Sequence, residues 1–135
     1  MSTVTVIAKP GAGSEGVLEE LRASLADEGV TDPRFEEVSD IRNVPESARR
    51  AVNEGADLIF VYGGDGTVQL CIHGLAGRQA ALAILPGGTG NILAGNLGIP
   101  EDIAGAVRIG LHGRRRPLDA GAANGERFAV MAGAG

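Results

Sequence analysis

Twice in this chain a short, almost wholly apolar run empties straight into a cluster of glycines and then into a helical pattern. Asp57 to Tyr62 reads DLIFVY and is followed by GGDGT at Gly63 to Thr67, while Ala81 to Leu85 reads ALAIL and is followed by PGGTGN at Pro86 to Asn91. An apolar run of this length between glycines is the pattern of a strand buried on both faces. Such strands belong to parallel sheets, whose neighbours need crossover helices between them. The repeated unit therefore predicts an α/β fold, a doubly wound, mostly parallel sheet with flanking helices.

The remaining segments fit that frame. Thr3 to Ala8 reads as a first strand running into the glycine loop Lys9-Pro10-Gly11-Ala12-Gly13, with Ser14 as the N-cap of a following helix. Val17, Leu18, Leu21 and Leu25 recur there at helical spacing, Glu15, Glu19 and Glu20 lie near the positive end of the helix dipole, and Gly29 marks the stop. Arg34 to Val38 reads as a short strand, and Pro45 to Glu54 as a helix with proline in its first turn and Gly55 at its end. After GGDGT, Val68, Cys71, Ile72 and Leu75 mark one face of a helix over 67–75, which ends around Gly74 to Gly77. Ile92 to Leu97 starts another helix, ended by Gly98-Ile99-Pro100, and Glu101 to Leu111 forms one more through Ile103, Val107 and Leu111. Arg116 to Ala123 and Glu126 to Ala132 flank Asn124-Gly125, the dipeptide of a two-residue hairpin turn. That hairpin is either the edge of the same sheet or the first piece of a second domain.

Composition narrows the function classes. The 135 residues suit one compact domain, and the mix of 44% hydrophobic and 21% charged residues is that of a globular protein. The 22 glycines follow no triplet period, so they read as turns and close backbone approaches. A net charge of −5 gives no broad positive field, which argues against a nucleic-acid partner. Cys71 is the single cysteine and no Cys/His metal cluster is present, consistent with a reducing, cytoplasmic compartment. The start MSTVTVIAKP lacks the pattern of a secretory signal, and no apolar run approaches the length of a membrane helix.

Glycine loops at the carboxyl ends of strands are where open α/β sheets take ligands. Without Cβ atoms the backbone approaches an anion closely, its N–H groups point at phosphate oxygens, and the next helix adds a partial positive charge. Neither loop fits G-x-x-x-x-G-K-[ST], and neither supplies the dinucleotide fingerprint on a first strand. A plain turn at GGDGT, and helix caps at Asp65, Thr89 and Asn91, are the alternatives to phosphate binding.

The strings VYGGDGTV (Val61 to Val68) and ILPGGTGNILAGNLGIP (Ile84 to Pro100) resemble the catalytic domain of diacylglycerol kinases, a family that includes sphingosine, ceramide and bacterial lipid kinases. NAD kinases share the GGDG loop more distantly. The resemblance covers nearly the whole chain and implies an ATP-binding domain of a lipid kinase, passing the γ-phosphoryl group to a lipid hydroxyl with Mg²⁺. It implies nucleotide contacts at Gly63, Gly64, Gly66 and Thr67, and Asp65 as the acidic residue acting on Mg²⁺ or the γ-phosphate. The second loop contributes Gly88, Thr89, Gly90 and Asn91. Lys9 stands where the family has asparagine, and a lysine there meets a phosphate or stays solvated. Gln69-Leu70 and Ile92 also depart from the family, which carries Asn-Glu and Asp at those positions. The implied partners are ATP and a lipid at a membrane surface, to which the protein is peripheral. Arg114 to Arg116 reads either as a solvated connection or as a contact with anionic headgroups. Residues 1–135 match the nucleotide-binding domain, and the family's β-sandwich domain, with further acidic residues and much of the lipid pocket, is expected to be absent from them. A non-catalytic nucleotide-binding module, an NAD kinase-like enzyme and a homodimer stay open.

Overall fold

The computed structural model describes residues 4–9, 16–75, 80–86, 102–112, 115–119 and 127–131. Strands β1 (Val4–Ala8), β2 (Arg34–Glu37), β3 (Leu58–Gly63), β4 (Ala81–Pro86), β5 (Arg115–Asp119) and β6 (Arg127–Met131) form one sheet in the order β2-β1-β3-β4-β6-β5. All neighbours run parallel except β5 and β6, which pair antiparallel at the edge. The helices are α1 (Val17–Asp27), α2 (Val44–Asn53), α3 (Asp65–Leu75) and α4 (Ile103–His112), with a 3-10 turn at Ile41–Asn43. The fold is the α/β doubly wound sheet that the apolar runs predict.

The central strands are apolar because helices cover both of their faces. Every residue of β1 and β3 is buried. The chain steps from β1 outward to β2 and then returns past β1 to β3, so right-handed crossovers put α1 and α2 on opposite faces. α4 packs beside α1, and α3 beside α2. The helical spacings read from sequence point inward as expected: Leu21, Leu25, Val68, Cys71, Ile72, Leu75 and Val107 are buried. Edge strand β2 instead exposes Arg34 and Glu37, charges that discourage pairing with another sheet.

Helix ends follow local chemistry. Beyond α1, the Val30 N–H bonds the Leu25 carbonyl and the Gly29 N–H bonds the Ala26 carbonyl, the paired bonds of a Schellman motif, with Gly29 at φ 95°. α2 ends the same way through Gly55 and Ala56. The start of α1 corrects the sequence reading, since its N-cap is Gly16 with φ 87° and no side-chain cap, two positions after Ser14. Ser14 and the loop 10–15 lie outside the described residues, as do 87–100 with the expected helix at Ile92 to Leu97.

The closing hairpin belongs to the edge of the same sheet, with β6 between β4 and β5. Its register differs from the expected one. Asp119 pairs with Arg127, whereas a two-residue turn at Asn124-Gly125 pairs residue 119 with residue 130. β6 is also held against β4, so the sheet ladder sets this register over the turn dipeptide. Arg115 and Arg116 lie in β5, and Arg114 falls outside the described residues.

The α2–α3 contact leaves no room for a side chain at Gly74, where a Cβ would lie 2.4 Å from the Pro45 carbonyl oxygen and 2.7 Å from its Cα. Alanine gains about 1 kcal/mol of helix propensity over glycine, but overpacking against backbone costs about 1–3 kcal/mol. Gly74→Ala is therefore expected to lower stability in urea unfolding, and a stabilised variant would contradict this packing. Burial pushes the Cys71 thiol up to about 12, so it stays protonated at neutral pH. In the native protein Cys71 should resist a thiol reagent at pH 8 and react at once in denaturant. Rapid native labelling would contradict its place in the core.

Candidate functional site

The strand order turns at β1 and β3. From β1 the chain crosses toward β2, from β3 toward β4, and a crevice opens beyond their carboxyl ends, the usual ligand position in open α/β sheets. Lys9 and GGDGT both sit there. The Lys9 N–H donates to the Tyr62 carbonyl at 2.9 Å, which fixes the exit of β1 beside the residue that precedes Gly63. Lys9 is half-buried. Gly63 pairs in register with Pro86, so both glycine-rich strings leave the sheet at the same level from adjacent strands. The structure thus brings together Lys9, Gly63, Gly64, Asp65, Gly66 and Thr67. Gly88, Thr89, Gly90 and Asn91 lie outside the described residues.

GGDGT is less a loop than a helix start. β3 ends at Gly63 and α3 begins at Asp65, two residues earlier than the periodicity suggests. The Gly64 carbonyl accepts the first helical bond, from the Val68 N–H at 3.1 Å. Gly64 is therefore the N-cap, and Asp65 lies within the helix instead of capping it. The N–H groups of this first turn have no partner inside the helix and carry the positive end of its dipole. The order strand, glycine, helix start is that of an anion cradle.

The glycines here differ in what demands them. None has positive φ, so a strained turn does not explain them. A Cβ on Gly63 would stand 2.7 Å from both the Cβ and the Oγ1 of Thr67, which is buried beneath it. Gly63 lets α3 start hard against the end of β3. Gly64 and Gly66 are exposed, and an added Cβ at either meets nothing within 4 Å. Packing and φ leave their identity unexplained, and close approach by a ligand explains it.

A charged group flanks the cradle on the β2 side. The Val38 N–H bonds the Ala8 carbonyl at 2.8 Å and extends the ladder past β2. Asp40 then caps the 3-10 turn, its Oδ1 accepting from the Arg42 N–H at 2.9 Å. The Arg42 Nε donates to both carboxylate oxygens at 3.1 Å, and Nη2 donates to Oδ2 at 2.7 Å. These bonds, with a smaller contribution from the Lys9 charge, lower the Asp40 carboxyl to about 2. Neither residue stands in a glycine-rich string, so only the D-x-R spacing ahead of a proline-started helix marks them in the sequence. His73 is exposed on α3. Among the described residues no group of three or more His, Cys, Asp or Glu is placed to hold a metal ion.

A hollow of about 330 Å³ lined by Thr5, Asp32, Arg34 and Glu54 lies at the opposite, amino end of the sheet. Open α/β sheets do not bind their ligands there. The Arg34–Glu54 ion pair stands in its wall.

Comparison with known proteins agrees with this geometry. Residues 3–123 match the family model for the diacylglycerol kinase catalytic domain. A diacylglycerol kinase of Bacillus subtilis is 41% identical over 92 residues, which are 66% of this chain and 30% of that protein. One from Staphylococcus aureus is 34% identical over 90 residues, 65% of this chain and 29% of the relative. The crystal structure of a diacylglycerol kinase from Bacillus anthracis superposes with a TM-score of 0.77 at 31% identity, covering 94% of this chain and 44% of that one. The chain thus spans less than half the length of these relatives.

The glycine contrast is testable by stability alone. Gly63→Ala should cost about 1–3 kcal/mol through its clash with Thr67, whereas Gly66→Ala should be neutral or add up to about 1 kcal/mol. Urea denaturation of both variants checks this. Equal losses would show that Gly66 also has a packing role.

Proposed function

The chain belongs to the diacylglycerol kinase catalytic domain family, and from that membership we propose that it is the nucleotide-binding domain of a lipid kinase. It binds ATP with Mg²⁺ and serves transfer of the γ-phosphoryl group to a lipid hydroxyl of the diacylglycerol or sphingoid type. The observation that carries this reading is the pair of exposed glycines, Gly64 and Gly66, at an uncrowded helix start beyond the sheet's turning point. That space suits a phosphate, and side chains there would fill it.

The roles divide by chemistry. The first-turn N–H groups of α3 receive phosphate oxygens, and the Lys9 ammonium adds a positive charge beside them. Gly88, Thr89, Gly90 and Asn91 supply the second nucleotide loop from the neighbouring strand. Asp65 is the residue for Mg²⁺, whose contribution when bound is to neutralise charge on the phosphates. Phosphoryl transfer asks little covalent chemistry of a protein, so positioning and charge neutralisation are this domain's share. Further acidic residues, the general base and most of the lipid pocket come from the family's second domain. The matched relatives are diacylglycerol kinases, which favours a lipid acceptor over NAD. No helix among the described residues is long and apolar enough to cross a membrane, and a cytoplasmic, peripheral placement at the lipid surface suits the reaction.

Thermal melts test the nucleotide step. A ligand at a hundred times its Kd stabilises by about 2.7 kcal/mol, so millimolar ATP with Mg²⁺ should raise the melting temperature by several degrees. Gly64→Val and Gly66→Ala should shrink that rise while leaving the unliganded protein folded, and Asp65→Ala should shrink the part that depends on Mg²⁺. Absence of any rise with the unaltered chain would overturn the reading.

A further inference from the structure

From the Lys9–Asp40–Arg42 group at the rim of the cradle, we infer that Arg42 is a phosphate-binding residue of this site and that Asp40 positions it. The inference rests on the nucleotide reading above and adds a contact from the β2 side, away from both glycine strings.

The carboxyl ends of β2, β1 and β3 lie level, since Ala8 pairs with Glu37 on one side and Tyr62 on the other. β2 and β3 are therefore two strand spacings apart, about 10 Å. That gap is within the combined reach of an arginine side chain and a triphosphate. The chain leaving β2 does not wander, because the Val38–Ala8 bond carries the ladder forward and the Asp40 cap closes the 3-10 turn. Arg42 is consequently set on the same rim as Lys9 and Gly64.

An exposed arginine normally samples many rotamers, and holding one costs side-chain entropy. Here the Arg42 side chain is 86% exposed, yet three of its contacts and its own backbone N–H converge on one carboxylate. Asp40 occupies Nε and Nη2, and the hydrogen bonds of the described residues leave Nη1 uncommitted. A guanidinium held on one side offers its remaining donors in a fixed direction, which suits a phosphate better than a free ammonium does. The Asp40 charge is already compensated by Arg42 and Lys9, so the trio carries a net positive charge on a chain of −5. That local excess of cation lies where the cradle would hold an anion. The ligand class is a nucleoside triphosphate, engaged through its phosphates.

Calorimetric titration of the full chain with ATP, adenosine and inorganic tripolyphosphate tests this. Arg42→Ala should weaken ATP and tripolyphosphate about tenfold, leaving adenosine unchanged. Arg42→Lys should recover only part of the loss, and Asp40→Asn should weaken ATP while retaining the guanidinium. Melting curves of each variant without ligand should match the unaltered chain, as the exposed position requires. If Arg42→Ala binds ATP as tightly as the unaltered chain, the pair is a solvated cap and the inference fails alone. An equal loss for adenosine also overturns it, by moving the contact to the base. If the unaltered chain binds no ATP, the nucleotide reading falls and this inference with it.

Discussion

The parallel pairing of β1 with β3 is the constraint on which the rest of the molecule depends. It runs from Val4–Leu58 to Ala8–Tyr62 without a break and continues one step further in the bond from the Lys9 N–H to the Tyr62 carbonyl. Every strand of that core is buried on both faces, so a slip of one residue would turn each side chain into the wrong layer. Because β1 and β3 wind in opposite directions, their helices cannot close over the point where they part. The crevice is thus a consequence of topology before any residue in it is chosen. Glycines then decide how closely a ligand approaches it.

Those glycines answer to three separate demands, which composition alone merges. Gly29 and Gly55 adopt positive φ to end helices, where any Cβ is strained. Gly63 and Gly74 keep negative φ and yield volume to a neighbour, Thr67 and Pro45 respectively. Gly64 and Gly66 do neither. A glycine that its own chain does not require weakens a helix start by up to about 1 kcal/mol relative to alanine. Its presence is explained by something outside the chain, and the orphan N–H groups of α3 say that this something is anionic.

Much of this was legible in sequence, and the reasons are particular. DLIFVY and ALAIL announce buried strands because both sheet faces are covered, and the spacing of Val68, Cys71, Ile72 and Leu75 shows which side of α3 faces inward. Lys9 and Gly63 to Thr67 could be placed together because each follows a strand that ends at the same level. The start of α3 was not legible, since Asp65 and Gly66 are poor helix formers and only tertiary packing beneath Gly63 makes them helical. Gly16, not Ser14, begins α1, although serine is the better cap by local preference. The register of β5 on β6 obeys β4, a partner far away in sequence that no turn dipeptide can report.

The Asp40–Arg42 pair shows what sequence hides most effectively. Its residues are common, exposed and separated by more than twenty positions from either glycine string. On a surface such a pair contributes little to stability, because solvent screens it and two side chains lose freedom. The sheet changes its meaning by placing it at the carboxyl end, one strand away from Lys9. An acidic chain repels a polyanion at long range, and screening confines that repulsion to about 10 Å at 0.1 M salt. What matters for a phosphate is therefore the sign of the charges on this one rim. There the orphan N–H groups, Lys9 and Arg42 supply the positive charge that the remainder of the chain lacks. Asp40 serves the same end although it is an acid, since its carboxylate spends its acceptors holding a guanidinium in place.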